Sequence, residues 1–176
     1  MIGIPVGLAF ANVTEWVIHK YVLHGAGKNK ASLWSFHFHE HHKACRRNDF
    51  IDDDYHRSIL NWNAQGKEAA ALVAGGLVIL PLVPVAPFFA GTLIYCGVNY
   101  YRVHKKSHLD PEWARENVPW HYDHHMGPNQ DANWGVTKPW MDNLMGTREV
   151  YVGTEREAAD LAKAAAKKQR AERLAA

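Results

Sequence analysis

The chain has 176 residues, which is one domain's worth, and no linker, repeat or low-complexity stretch divides it. Its 20 basic and 18 acidic residues leave a formal charge of +2, so it lacks the broad basic surface that nucleic acid requires, and nucleic acid is set aside as a partner. Two cysteines, Cys45 and Cys96, cannot build a disulfide framework, whereas 12 histidines are several-fold more than ordinary usage, and they are clustered.

Mean hydropathy is negative, yet the apolar residues fall into two blocks. The first, Met1 to Leu23, is about long enough to cross a ~30 Å hydrocarbon core; it starts apolar and ends in histidines, unlike a secretory signal. A polar segment from Lys43 to Glu68 follows. The second block, Ala69 to Tyr101, has no charged side chain, and Pro81, Pro84 and Pro87 predict two short helices joined by a turn. Each arm is short for a generous span, so a tight hairpin that dips into or barely crosses a bilayer fits best, with a buried soluble hairpin as the rival. Both ends of the hairpin then share one side with Lys28, Lys30, Lys43, Arg46, Arg47, Lys105 and Lys106, which the positive-inside rule assigns to the cytoplasm. A polar segment from Arg102 to Val152 completes a domain over residues 1–152. The tail, 153–176, is rich in Ala, Lys, Glu and Arg and predicts a solvated helix without chemistry.

Ten histidines fall into four groups: His19 and His24; His37, His41 and His42; His104 and His108; His121, His124 and His125. On an α-helix, partners three or four apart lie within ~60° of one another and can face a common centre. By that rule His37 and His41 share one centre while His42, rotated by ~100°, serves a neighbouring one. The five-residue step from His19 to His24 is ~140° off and predicts that these two address different metals. Crowded neutral imidazoles are metal ligands by chemistry, and ten nitrogens exceed what one ion accepts, so two ions are expected. His39 competes with His37, since it lies three before His42; His56 has no cluster partner. Glu15 and Glu40 are positioned to orient imidazoles, and Asp123 points away from the metal face. Trp16, Tyr100, Tyr101 and Trp120 are candidate wall or interface residues.

The series H-x4-H, H-x3-H-H, H-x3-H and H-x2-H-H, interrupted by an apolar hairpin, resembles the fatty acid hydroxylase and sterol desaturase superfamily. The opening EWVIHKYVLHG and the closing NWGVTKPWMDNLMGT, Asn133 to Thr147, are similar to that family's. The resemblance implies an all-α integral membrane protein, multi-pass, with a histidine-rich di-metal site facing the cytoplasm. It implies an oxidoreductase, a non-haem di-iron monooxygenase that uses O2 to hydroxylate a C–H bond of a membrane lipid such as a fatty acyl chain. His19, His24, His37, His41, His42, His104, His108, His121, His124 and His125 would hold two iron ions, with zinc a frequent occupant after purification. The chain has no haem-binding domain of its own, so the resemblance also implies an external electron donor of the cytochrome b5 or ferredoxin type with its reductase. A lipid or sterol desaturase, a carotenoid hydroxylase and a non-catalytic metal-binding membrane protein are the alternatives, and a zinc-pair hydrolase is a poorer match.

Overall fold

The computed structural model describes residues 1–175, and among them there is no strand. Helix α1, Gly3–Val17, continues without a break into a π-helical segment, Ile18–Ala26. A second π turn, His37–His41, runs into α2, His42–Arg47. Helix α3, Ala64–Ile79, starts at Asn63, whose side chain accepts the Gly66 N–H at 2.9 Å, and ends in a 3-10 turn, Leu80–Leu82. Pro87 opens the long α4, Pro87–Leu109, so the proline-marked turn lies where the sequence predicts it. Short helices α5, Pro111–Asn117, α6, Pro119–Met126, and α7, Trp140–Met145, lead to α8, Glu155–Ala175.

Two layers result. In the apolar layer α1 and α4 run side by side in the same direction, and α3 returns antiparallel on α4. Gly3 and Gly7, one helical turn apart, let α1 approach closely. A Cβ at Gly3 would sit 2.8 Å from the Phe89 backbone nitrogen, and one at Gly7 would sit 2.9 Å from Thr92 Cβ. The Phe10 and Phe89 rings meet edge to face at 5.6 Å beside this crossing. The outer faces are apolar and bare: Ile4, Val6 and Phe10 on α1, Val73, Leu77 and Val78 on α3, and Phe88, Ile94 and Val98 on α4 are all exposed. Exposed apolar residues on three helices are more than the scattered few of an ordinary soluble surface. The segment Ala64–Leu82 is the one described helix long and apolar enough to cross a membrane.

The polar layer is packed around imidazoles rather than aliphatic side chains. A small apolar cluster of Phe50, Ala114, Val118, Tyr122 and Tyr151 flanks it. At its centre are ten histidines: His19, His24, His37, His41, His42, His104, His108, His121, His124 and His125 are each at most 3% exposed. The tail forms the expected helix, largely exposed, and is tied to the body by Glu157, which is buried, pairs with Arg115 and accepts the Gly153 N–H at 2.8 Å. Ala176, the last residue assigned to the tail, lies outside the described residues.

Candidate metal centre

The π-helical segments decide which histidines meet. Hydrogen bonds from i to i+5, such as Gly27 N–H to Val22 O at 3.0 Å, widen the turn so that residues five apart share a face. His19 and His24 therefore point to the same place, with ring centroids 5.1 Å apart, and the expectation that they address different metals is overturned. The same geometry reverses the reading of the second group. His37 and His42, five apart, face one centre, and His41 turns to the other. On α6, an ordinary α-helix, His121 and His125 are one turn apart and face together, while His124 faces the opposite set.

Two sets result: His19, His24, His37, His42 and His124 converge together, and His41, His104, His108, His121 and His125 form the second through two overlapping groups that share His108 and His125, one with His41 and Cys45 and the other with His104 and His121. In the first, His124 Nε2 lies 3.1 Å from both His24 Nε2 and His42 Nε2, and His24 Nε2 lies 3.0 Å from His42 Nε2. His37 Nε2 is 2.9 Å from His19 Nε2 and 3.3 Å from His42 Nε2. In the second, His108 Nε2 is 3.0 Å from His121 Nε2, and the His41 ring lies 5.0 Å from His104, 4.4 Å from His108 and 4.8 Å from His125. The sets adjoin through His42 and His125, whose rings stack at 4.1 Å.

The opposite ring nitrogens fix the tautomers. His19 Nδ1 lies 2.6 Å from Trp134 O, His124 Nδ1 2.6 Å from Ala132 O and His108 Nδ1 3.0 Å from Phe50 O. A carbonyl only accepts, so these Nδ1 atoms carry the hydrogen and their Nε2 atoms are bare lone pairs. His41 Nδ1 donates to Asp52 Oδ2 at 2.7 Å and His104 Nδ1 to Glu68 Oε1 at 2.8 Å, the carboxylate–imidazole pairing that orients metal ligands. The Tyr55 hydroxyl donates to the other Glu68 oxygen and lies 2.9 Å from His104 Nδ1. Burial, followed by neighbouring imidazoles, holds His42, His121, His124 and His125 well below their ordinary pKa, so they are neutral at ordinary pH.

Neutral rings with converging lone pairs repel, and nothing in the protein relieves them. His41 Nε2, His104 Nε2 and both nitrogens of His125 are buried without a hydrogen-bond partner. A cation would supply the missing partner. Two nitrogens bound at ~2.1 Å and at right angles to each other lie ~3.0 Å apart, which is the spacing found. The donor set therefore fits metal ions.

Of the remaining sequence candidates, His39 points elsewhere, its Nε2 2.9 Å from Lys28 O, and His56 is exposed. Glu40 pairs with Lys67 at the surface instead of orienting an imidazole. Glu15 acts one step removed: it accepts the backbone N–H of Val136 and, at 2.9 Å, of Thr137, and so holds the loop whose Trp134 carbonyl orients His19. Asp142 takes the Trp134 and Gly135 N–H groups at 2.8 and 2.7 Å and the Thr147 hydroxyl at 2.7 Å. The closing segment is thus a clamp on the first set. Asp123 faces away from the imidazoles and binds Arg148 and the Val152 N–H. Tyr100 lies over the His104 ring at 5.4 Å, Tyr101 binds Gln65, Trp16 donates to Thr147, and Trp120 donates to Val136 O beside the apolar cluster. Asp52, Glu68 and Tyr55 went unread in the sequence because no local spacing links them to the histidines they serve.

No curated protein and no solved structure matches the chain. The family model described as fatty acid hydroxylase matches residues 4–147, a span that holds all ten buried histidines, the hairpin and the closing clamp. The chain belongs to the fatty acid hydroxylase family, and its chemistry is lipid oxidation of the hydroxylase and desaturase type.

Proposed function

We propose that this protein is a membrane-embedded di-iron monooxygenase that uses O2 to hydroxylate a C–H bond of a membrane lipid such as a fatty acyl chain. The observation that supports it best is the two adjoining histidine sets, buried, with His19, His124 and His41 aimed by the hydrogen bonds of their outer nitrogens. His19, His24, His37, His42 and His124 would hold one ion, and His41, His104, His108, His121 and His125 the other. Imidazole suits iron, so these residues would hold iron ions if iron is the metal bound. Two irons, when bound, supply the redox capacity to activate O2 against an unactivated C–H bond, which no side-chain acid or base attains.

The chain's own residues do the rest. Glu68, Asp52 and the carbonyls of Phe50, Ala132 and Trp134 keep the Nδ1 of His104, His41, His108, His124 and His19 protonated and their Nε2 free. Burial excludes bulk water from the imidazoles, and the bare faces of α1, α3 and α4 offer an acyl chain a route from lipid. The histidine layer lies toward the cytoplasm by its flanking cations. Electrons come from a separate donor of the cytochrome b5 or ferredoxin type with its reductase.

Lipid mass spectrometry of cells with and without the protein tests this. Hydroxylation adds one oxygen to a lipid species, and that species disappears with His124→Ala. Loss of two hydrogens would identify a desaturase, and an unchanged lipid profile would contradict an oxidative function.

A further inference from the structure

The turn between α3 and α4 has a composition that water would not explain. From Ala69 to Gly91 there is no polar side chain of any kind, and the turn itself reads Leu80-Pro81-Leu82-Val83-Pro84-Val85-Ala86-Pro87. A hairpin that crossed a bilayer would place this turn among headgroups, where polar, charged or amphipathic aromatic residues collect.

Most of the turn's backbone donors are paired or absent, the N–H groups of Phe88 and Phe89 in the uncapped first turn of α4 excepted. An unpaired N–H or C=O costs several kcal/mol, of order ~4–8, in a solvent that cannot hydrogen-bond. Pro81, Pro84 and Pro87 have no N–H to leave unpaired. The N–H groups of Leu80, Val83, Val85, Ala86 and Ala90 donate to Gly76, Leu80, Leu82, Leu82 and Ala86. Proline thus ends both helices and removes donors where the ladder is broken.

Depth agrees. Asn12 of α1 is buried and tied to the clamp, donating to Lys138 O at 3.0 Å and accepting the Met141 N–H at 3.1 Å. At that level α7 exposes Trp140, Leu144 and Met145 beside Lys138, an amphipathic edge suited to a membrane interface. Trp62, just ahead of the α3 cap, is 72% exposed. From these marks to the turn the helices are short. Gly3, level with Phe88 and Phe89, is nine residues from Asn12, or ~14 Å at the α-helical rise. Pro87 to Asn99 spans ~18 Å, and Glu68 to Leu82 ~21 Å. One leaflet's hydrocarbon is ~15 Å deep, half of a ~30 Å core.

We infer that the α3–α4 hairpin is re-entrant: it inserts into one leaflet, its proline turn rests in hydrocarbon near the bilayer midplane, and lipid acyl chains cover it. The inference rests on the membrane reading under Proposed function and decides between the two hairpins the sequence allows: this one dips into the bilayer, and its turn does not reach the opposite face.

The test uses the full chain in sealed vesicles of each orientation, with Cys96→Ala as background because Cys45 is fully buried. A membrane-impermeant maleimide should modify Leu60→Cys, 90% exposed ahead of α3, in one orientation only. It should modify Val85→Cys, 77% exposed in the turn, in neither until SDS is added. A nitroxide on Val85→Cys should collide freely with O2 and scarcely with an aqueous nickel chelate. Labelling of Val85→Cys from the side opposite Leu60→Cys would overturn re-entry while leaving the membrane reading intact. Labelling from the same side as Leu60→Cys would put the turn in water and overturn both. A nitroxide shielded from O2 as well would mean that protein, not lipid, covers the turn.

Discussion

Asp52 and Asp142 have different clients. Asp52 aims His41, a member of the second histidine set. Asp142 gathers Trp134, Gly135 and Thr147 and so fixes the carbonyl that aims His19 of the first. Outer-sphere partners of this kind typically change metal affinity by about 10–100-fold. Asp52→Ala and Asp142→Ala should therefore each weaken a different one of two ions by about that factor, and the double variant should weaken both. Chelator competition read by metal analysis distinguishes this from a single shared site, where each variant would loosen all the metal. At this scale the histidines themselves were legible, because imidazole clusters have few other uses. Their partners were not. Asp52, Glu68 and Tyr55 reach the site through tertiary contacts, and Glu15, read as a direct partner of His19, reaches it through the backbone of Val136 and Thr137.

Among the elements, the π-helical segments explain a spacing that α-helical geometry misassigns. On an α-helix His24 would sit ~140° round from His19, but an i to i+5 ladder aligns them, and the same ladder sends His37 with His42 and leaves His41 for the other set. Only the fold reveals where the helix widens. The hairpin, by contrast, was readable because proline punctuates it and its arms lack charge. The α1–α4 crossing was not read in advance, although Gly3 and Gly7 carry it. Gly7→Leu forces side-chain atoms into Thr92, where even a Cβ would sit 2.9 Å away. Overpacking of this kind costs about 1–3 kcal/mol, so the thermal midpoint in detergent should fall. Because α1 delivers His19 and His24, metal content should fall with it. An unchanged midpoint would show that α1 does not pack on α4 as described.

For the molecule as a whole, the interior of the polar layer gathers imidazole lone pairs that fit metal ions, so bound metal would couple to the fold. Metal bound to the folded chain alone stabilises it by mass action, by about 4 kcal/mol at a thousandfold excess over the dissociation constant. Exhaustive chelation should lower the unfolding midpoint by many degrees, and restored metal should recover it. A chain whose midpoint ignores chelation would have its core held some other way. The all-helical class and the histidine-rich interior were both visible in sequence. How the ten histidines divide was not, since that division depends on helix type at Ile18–Ala26 and His37–His41.

The central claim is that the ten imidazoles form two separate five-nitrogen sites, and iron analysis of the purified, iron-loaded protein tests it most directly. About two ions per chain are expected for the parent, about one for His124→Ala and about one for His121→Ala, because these neighbours on α6 serve different sets. One ion per chain in the parent, or loss of all metal in both variants, would contradict two five-histidine sites.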